Sequence, residues 1–387
     1  MRKDARIPAG FMKKIGAGLV WSWIALVALA TVGAVAFVER AEAAPNLGRG
    51  AVFVMTNDPG GNSILVFRRN PNGRLIAAGS VATGGLGNGT MPDSLASQGS
   101  LVRSGNLLFA VNAGSDEISV LSIGKKALTL VETVPSGGDL PTSLAVFDDL
   151  LYVVNVGSGQ ITGFRIGSDG QLTALAGSTR AISGGPSTPM EGASQVSFTP
   201  NGEALLVTVK MPSVLDVFQV LENGLTEGPS PAPSSGGGPF GFAFDRRGRL
   251  IVSETNGGPP NEGSASSYSV AADGTLRVIS GMVGSGQLAT CWVVISGPFA
   301  YMTNTASGTI SMYRVETDGM LALQQSNAAT TGGNPIDMAL SRSDEFLYTI
   351  VDGTGRISIH RIEDDGSLTP VKGGVNVPPF SQGIVAF

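Results

Sequence analysis

Histidine and cysteine are almost missing from this sequence, with one of each, His360 and Cys291, in 387 residues. That scarcity excludes zinc, iron or copper sites built on clustered imidazoles and thiolates. It also excludes an internal disulfide, so closure of the fold falls to strand pairing and core burial. Charge is thin too. Only 14% of residues are ionic, and beyond residue 43 the chain holds 19 basic against 27 acidic side chains with no basic run. An acidic body of this kind makes a poor polyanion binder, so nucleic acid is set aside as a partner. Low charge with 42% apolar residues also argues against a disordered chain. Cys291 opens the apolar run Cys291-Trp292-Val293-Val294-Ile295 and reads as a small buried hydrophobe, since a thiol nucleophile needs a base that is not evident beside it. His360 lies on an alternating strand away from the inner strands and is expected at the surface or between sheets, out of reach of any nucleophile.

What is abundant is glycine and proline, 55 and 22 residues, set between short runs of Val, Leu, Ile and Ala, as expected of β structure rich in turns. The N-terminus is different. Arg2, Lys3, Arg6, Lys13 and Lys14 precede an uncharged stretch from Ile15 to Val38, and Ala41-Glu42-Ala43 follows. Basic, apolar and small-x-small regions in that order read as an export leader over 1–43. The apolar run of about 24 residues exceeds the usual signal core and could span a bilayer. Cleavage after Ala43 or Ala44 and retention as a single anchor therefore both stand. Either way the body, 44–387, is expected outside the cytoplasm, in the periplasm, secreted or tethered.

That body is a repeat. An apolar strand ending in Asn or a substitute recurs as Val54–Asn57, Phe109–Asn112, Tyr152–Asn155, Leu206–Val209, Ile251–Glu254, Tyr301–Asn304 and Tyr348–Val351. The intervals between their last residues are 55, 43, 54, 45, 50 and 47, the period of a four-stranded propeller blade. Each copy continues into a strand of period-2 alternation, such as Ile310-Ser311-Met312-Tyr313-Arg314-Val315. A hairpin signal follows in most: Asn72-Gly73, Asp169-Gly170, Asp273-Gly274, Asp318-Gly319, Asp365-Gly366. One recurring Asp per hairpin suits turn chemistry, not a calcium loop, which needs several converging oxygen ligands. The fold is therefore expected to be all-β, a seven-bladed β-propeller of four-stranded antiparallel blades. The chain starts without an inner strand and ends with one. Residues 51–82 and 382–387 are expected to make one blade between them, closing the ring and removing its edges.

Inner strands line the channel of a propeller, where a ligand would be held. Their alignment puts Gln98, Ser143, Gln195, Gly241, Trp292, Asp337 and Gly383 at one level, with Gln382 beside the last. Gln98, Ser143, Gln195, Trp292, Asp337 and Gln382 are the candidate ligand-binding residues for a small polar ligand. Asp337, Glu254 and Lys210 are the candidate catalytic residues. The repeated Asn57, Asn112, Asn155 and Asn304 read as structural, because repetition without variation suits backbone bonding.

With its Tyr-Val-Val-Asn and Tyr-Met-Thr-Asn repeats, its Asp-Gly hairpins and the segment Val196-Ser197-Phe198-Thr199-Pro200-Asn201-Gly202, the chain over about 50–387 resembles the seven-bladed lactonase family. That family includes 6-phosphogluconolactonase-like proteins and carboxymuconate cyclases. The resemblance implies a channel mouth bearing His, Arg and Glu for acid–base work on a lactone or ester. Here the matching positions hold Gly192, Ala193, Ser194 and Gln195, then Val209 and Lys210. Pro141-Thr142-Ser143 stands where the family has His-x-His, and Thr305 where an Arg follows the Asn of a later blade. Two functions follow. One is a non-catalytic extracytoplasmic scaffold that binds a small polar ligand or a surface protein, which the vacant positions favour. The other is a lactone or ester hydrolase with a rearranged site. No cofactor and no metal are expected, the body is expected to be a monomer, and the membrane enters only through an uncleaved leader.

Overall fold

In every repeat the second strand from the channel is mostly buried on both faces, because neighbouring blades stack against both sides of it. Leu150–Asn155 and Phe346–Val351 are buried from end to end, which is why they read as continuous apolar runs. The outermost strands, such as Leu75–Ala82, are mostly exposed, because no further strand or blade covers them. The computed structural model describes residue 47, residues 50–258 and residues 262–387. The expected leader and its fate lie outside the described residues. Among the described residues no helix is long and apolar enough to cross a membrane.

These residues form seven antiparallel sheets. Blade 1 runs outwards as Ile384–Ala386, Ala51–Met55, Ser63–Arg69 and Leu75–Ala82. The inner strands of blades 2 to 7 are Leu101–Ser104, Pro141–Phe147, Ala193–Phe198, Pro239–Phe244, Thr290–Ser296 and Pro335–Leu340. Blade 3 adds a short strand, Arg180–Ala181, paired on its third strand.

Closure of the ring follows the expected scheme. Val52, Phe53 and Val54 pair with Ala386, Val385 and Ile384. Backbone bonds continue the pairing from Ala51 to Phe387 and from Met55 to Gly383. A second, repeated clasp joins successive blades. The Tyr152 hydroxyl donates to the Gly224 carbonyl, Tyr301 to Gly366 and, across the seam, Tyr348 to Gly73, at 2.6–2.9 Å. Each acceptor is the glycine of the next blade's hairpin. At Gly73, φ is +81° and an added Cβ would collide with the Phe346 ring. Glycine is thus required there twice over, by conformation and by the close approach of the preceding blade.

The antiparallel order fixes two faces. Connections from an outer strand to the next inner strand, and from second to third strands, all emerge at one end of the blades. First-to-second connections and the Asp-Gly hairpins emerge at the other. His360 is buried on the third strand of blade 7, opposite Leu347 and Pro370. Burial lowers its pKa to about 4, so it stays neutral as an interior group.

Candidate channel site

Pairing registers test the expected ring level directly. Leu144, Val196, Phe242, Val293 and Met338 each face the residue two before the Asn-type position of their blade. Ser143, Gln195, Gly241, Trp292 and Asp337, one step earlier, therefore share a level. In blade 2, however, Leu101 faces Ala110, so Ser100 occupies that level and Gln98 stands two residues outside it. In blade 1, Met55 bonds to Gly383, which puts Gln382 at the level and Gly383 one step past it.

Gln98 departs because its segment is no strand. The connection between blades 1 and 2, residues 83–100, is long. Gly85, Gly87 and Gly89 first press it against Asn112 and Asn57, where added Cβ atoms would collide. Residues 93–98 then turn into the channel, with Asp93 and Ala96 at positive φ, and Leu95, Ala96 and Ser97 buried. Lys210 Nζ donates to the Ala96 carbonyl at 3.1 Å. The Trp292 indole N–H and the Gln382 amide both donate to the Ser97 carbonyl. Gln382 Oε1 accepts from the Leu95 N–H, and Ser97 Oγ donates to the Thr142 carbonyl. The Gln98 side chain makes two hydrogen bonds to Val293, donating from Nε2 to its carbonyl and accepting at Oε1 from its N–H, both at 3.0 Å. Its backbone N–H donates to Ser194, and its carbonyl accepts from Ser143 Oγ. Partners on blades 1, 3, 4 and 6 hold this one segment, so it plugs the channel.

The candidate ring residues are engaged accordingly. Gln195 pairs both its amide atoms with Phe242, on the next inner strand. Trp292 stacks near Phe240, with centroids 4.6 Å apart. Lys210 stands 5.0 Å from the Phe240 ring and 2.6 Å from Ser194 Oγ.

Four titratable groups share this environment. Asp93, half-buried at the mouth, is pushed up to about 7 by burial, against the pull of Lys210 and the amide of Gln382. Asp337 is also raised to about 7 by burial, against bonds from the Met338, Gly383 and Ile384 amides and with Asp93 adding repulsion. Lys210 falls to about 8 for the same reason, with Asp93 opposing the fall. The Cys291 thiol is pushed up to about 12 by burial, so it is no nucleophile near neutral pH. Thus the structure brings together two of the three sequence candidates, Asp337 and Lys210, through a third group, Asp93, that repeat reading missed. The signal for Asp93 was loop length. The 18 residues of 83–100 stand where most outer-to-inner connections have four or five, and long loops tend to be functional.

Glu254 is elsewhere. It occupies the Asn position of blade 5, fully buried, and accepts from the Gly236 N–H at 2.9 Å and from the Ser234 and Ser264 hydroxyls. This matches what the Asn residues do. Asn112 accepts from Asn62 and Thr83 and donates to Ser119, while Asn304 is bonded to Thr290, Thr309 and Ser311.

The model of the seven-bladed β-propeller lactonases matches residues 61–188 and 275–382, more than half of the chain. The chain belongs to the seven-bladed lactonase family. Among similar solved structures, a periplasmic gluconolactonase from Pseudomonas aeruginosa superposes with a TM-score of 0.69 at 16% identity, over 87% of this chain and 98% of its own. A 6-phosphogluconolactonase candidate from Bacteroides uniformis gives 0.71 at 17%, over 87% and 99%. One from Bacteroides fragilis gives 0.67 at 19%, over 89% and 99%. At these identities the likeness establishes the fold. No curated protein matches the sequence. The family match skips residues 189–274, the stretch that carries Ser194, Lys210 and Glu254.

Proposed function

We propose that this lactonase-family propeller is an extracytoplasmic binding scaffold, not a hydrolase, with its channel closed by its own chain. One observation carries this reading. The polar side chains of Gln98, Ser143, Gln195, Trp292 and Gln382, candidates to hold a small ligand, are already bonded to the plug or to a neighbouring inner strand. A buried polar group paired within the protein gains little by exchanging that partner for a ligand. The leader supports the extracytoplasmic setting, as does a neighbour described as periplasmic. The test is turnover of a panel of gluconolactones and aryl esters by the purified chain. Background rates, equal in Asp337→Ala, support the scaffold; turnover abolished by Asp337→Ala or Lys210→Met overturns it.

A second reading, hydrolysis of a lactone or ester, is favoured by the gathering of Asp93, Lys210 and Asp337, with values near 7, 8 and 7. In that reading a carboxylate takes a proton from water while the ammonium steadies the oxyanion. It would appear in the same assay as turnover whose pH profile has limbs near those values.

A further inference from the structure

The face that carries the plug differs from its opposite in charge. Over blades 1 to 4 its connections expose Leu86, Met91, Met190 and Met211, at 42, 50, 54 and 65%. Acids lie beside Leu86 and beside the two methionines of blade 4. The Gly87 N–H donates to the Asp58 carbonyl, and the Leu86 N–H to Ser115, next to Asp116. Asp116 in turn accepts from the Leu140 N–H, beside Asp139. On blade 4 the Met211 N–H donates to the Glu191 carbonyl, which brings Met190 and Met211 together. Asp58, Asp116, Asp139 and Glu191 are all exposed.

No cation answers them within these connections. Arg180 spends its guanidinium on the carbonyls of Thr226, Gly177 and Thr179, and Lys210 is buried under the plug. The opposite face mixes both signs and pairs them, as in Arg165 with Asp149 and Arg249 with Asp245. A sector with exposed unbranched apolar side chains and carboxylates of one sign fits a partner carrying the complementary pattern. Methionine suits such a surface because its side chain adapts to the partner's shape.

We infer that the plug-bearing face over blades 1 to 4 docks a cationic polypeptide segment with interspersed apolar side chains. This rests on the binding-scaffold reading and names the partner. Anionic membranes are disfavoured as occupants, because the exposed charge has the same sign as theirs.

The test uses the full chain and a labelled peptide of repeated Lys-Leu-Leu-Lys blocks, followed by fluorescence anisotropy. Saturable binding is expected. Asp58→Lys with Glu191→Lys should weaken it by about tenfold or more at low salt. Met190→Ser with Met211→Ser should weaken it by a factor that persists at high salt. Glu222→Lys with Asp364→Lys, exposed on the opposite face, should leave it unchanged. No binding, or equal losses from both charge reversals, overturns the inference. So does self-association, or binding to phosphatidylcholine–phosphatidylglycerol vesicles, that the face variants remove. Lactone turnover in the same preparation would instead count against the scaffold reading, so the two failures are read separately.

Discussion

Deleting residues 382–387 removes the last piece of the ring, and the structure sets the scale of the loss. Four backbone hydrogen bonds disappear beyond the three-residue ladder: Ala51 to Phe387 in both directions, Met55 to Gly383 and Gln382 to Met55. Each is worth about 0.5–1.5 kcal/mol net. Ile384, 5% exposed, adds about 1.5–3 kcal/mol of burial. The Gln382 side chain adds three more bonds, to Leu95, Asp93 and Ser97. Phe387 also stacks near Phe53 and under Arg103. Together these come to on the order of 8 kcal/mol, against a total of about 5–15 kcal/mol for a typical domain. The truncated chain should be unfolded, or should lose on the order of 2 M from its urea midpoint. Trp292 is the only tryptophan beyond residue 23 and donates to the plug, so its fluorescence in a chain lacking 1–43 reports the channel while far-UV circular dichroism reports the blades. A truncated chain with a midpoint within about 0.5 M of the intact one would refute closure by the C-terminal strand.

Burial raises Asp337 from 3.8 to about 7, so the folded chain keeps a proton there that the unfolded chain has lost. Its contribution to stability therefore falls as pH rises from about 4 to about 7, and Asp337→Asn should flatten that part of the urea-midpoint profile. Lys210, lowered from 10.5 to about 8, acts with the opposite slope: stability rises with pH from about 8 to about 10, an increment that Lys210→Met should remove. Trp292→Phe keeps the ring contact with Phe240 but loses the bond to Ser97, and should cost about 1–2 kcal/mol in urea unfolding followed by circular dichroism. Glu254→Ala strands the Gly236 N–H and the Ser264 hydroxyl, so about 2–4 kcal/mol should be lost in the same assay with no change in peptide binding.

The ring was legible because its signal repeats. The Asn-ended strands and Asp-Gly hairpins each report one local requirement, buried pairing or a positive φ, and seven copies outweigh any one irregular blade. The partners of those motifs were less legible. Nothing local to Gly73 says that Tyr348, 275 residues away, donates to it. The site was legible only where it obeys the repeat. Ser143, Gln195, Trp292 and Asp337 fall at one level because strand register carries them there, whereas Gln98 and Asp93 belong to a segment outside the repeat. Glu254 looked like chemistry because it breaks the Asn series. Its carboxylate collects the same kind of backbone and hydroxyl bonds as the amides it replaces, a similarity of bonding that residue type conceals.

Lys210 and the plug behave as one device, and that links the missing family acid to the closed channel. The family resemblance calls for a Glu at this position. A carboxylate there would face the Ala96 carbonyl, which now accepts from the Lys210 ammonium. Two acceptors in a buried site repel each other unless one gains a proton. Asp93, already raised by burial, would also lose the cation that restrains the rise. A Glu at this position and the plug are therefore expected to exclude one another. Lys210→Glu should then expel the segment. The readout is hydrogen exchange at the Leu95 and Gln98 amides, now held by Gln382 and Ser194. Their protection should fall by orders of magnitude while the amides of Phe346–Val351 stay protected, since local opening is uncoupled from the global transition. If Leu95 and Gln98 remain as slow as in the native chain, the plug is held without Lys210 and the mutual exclusion is wrong.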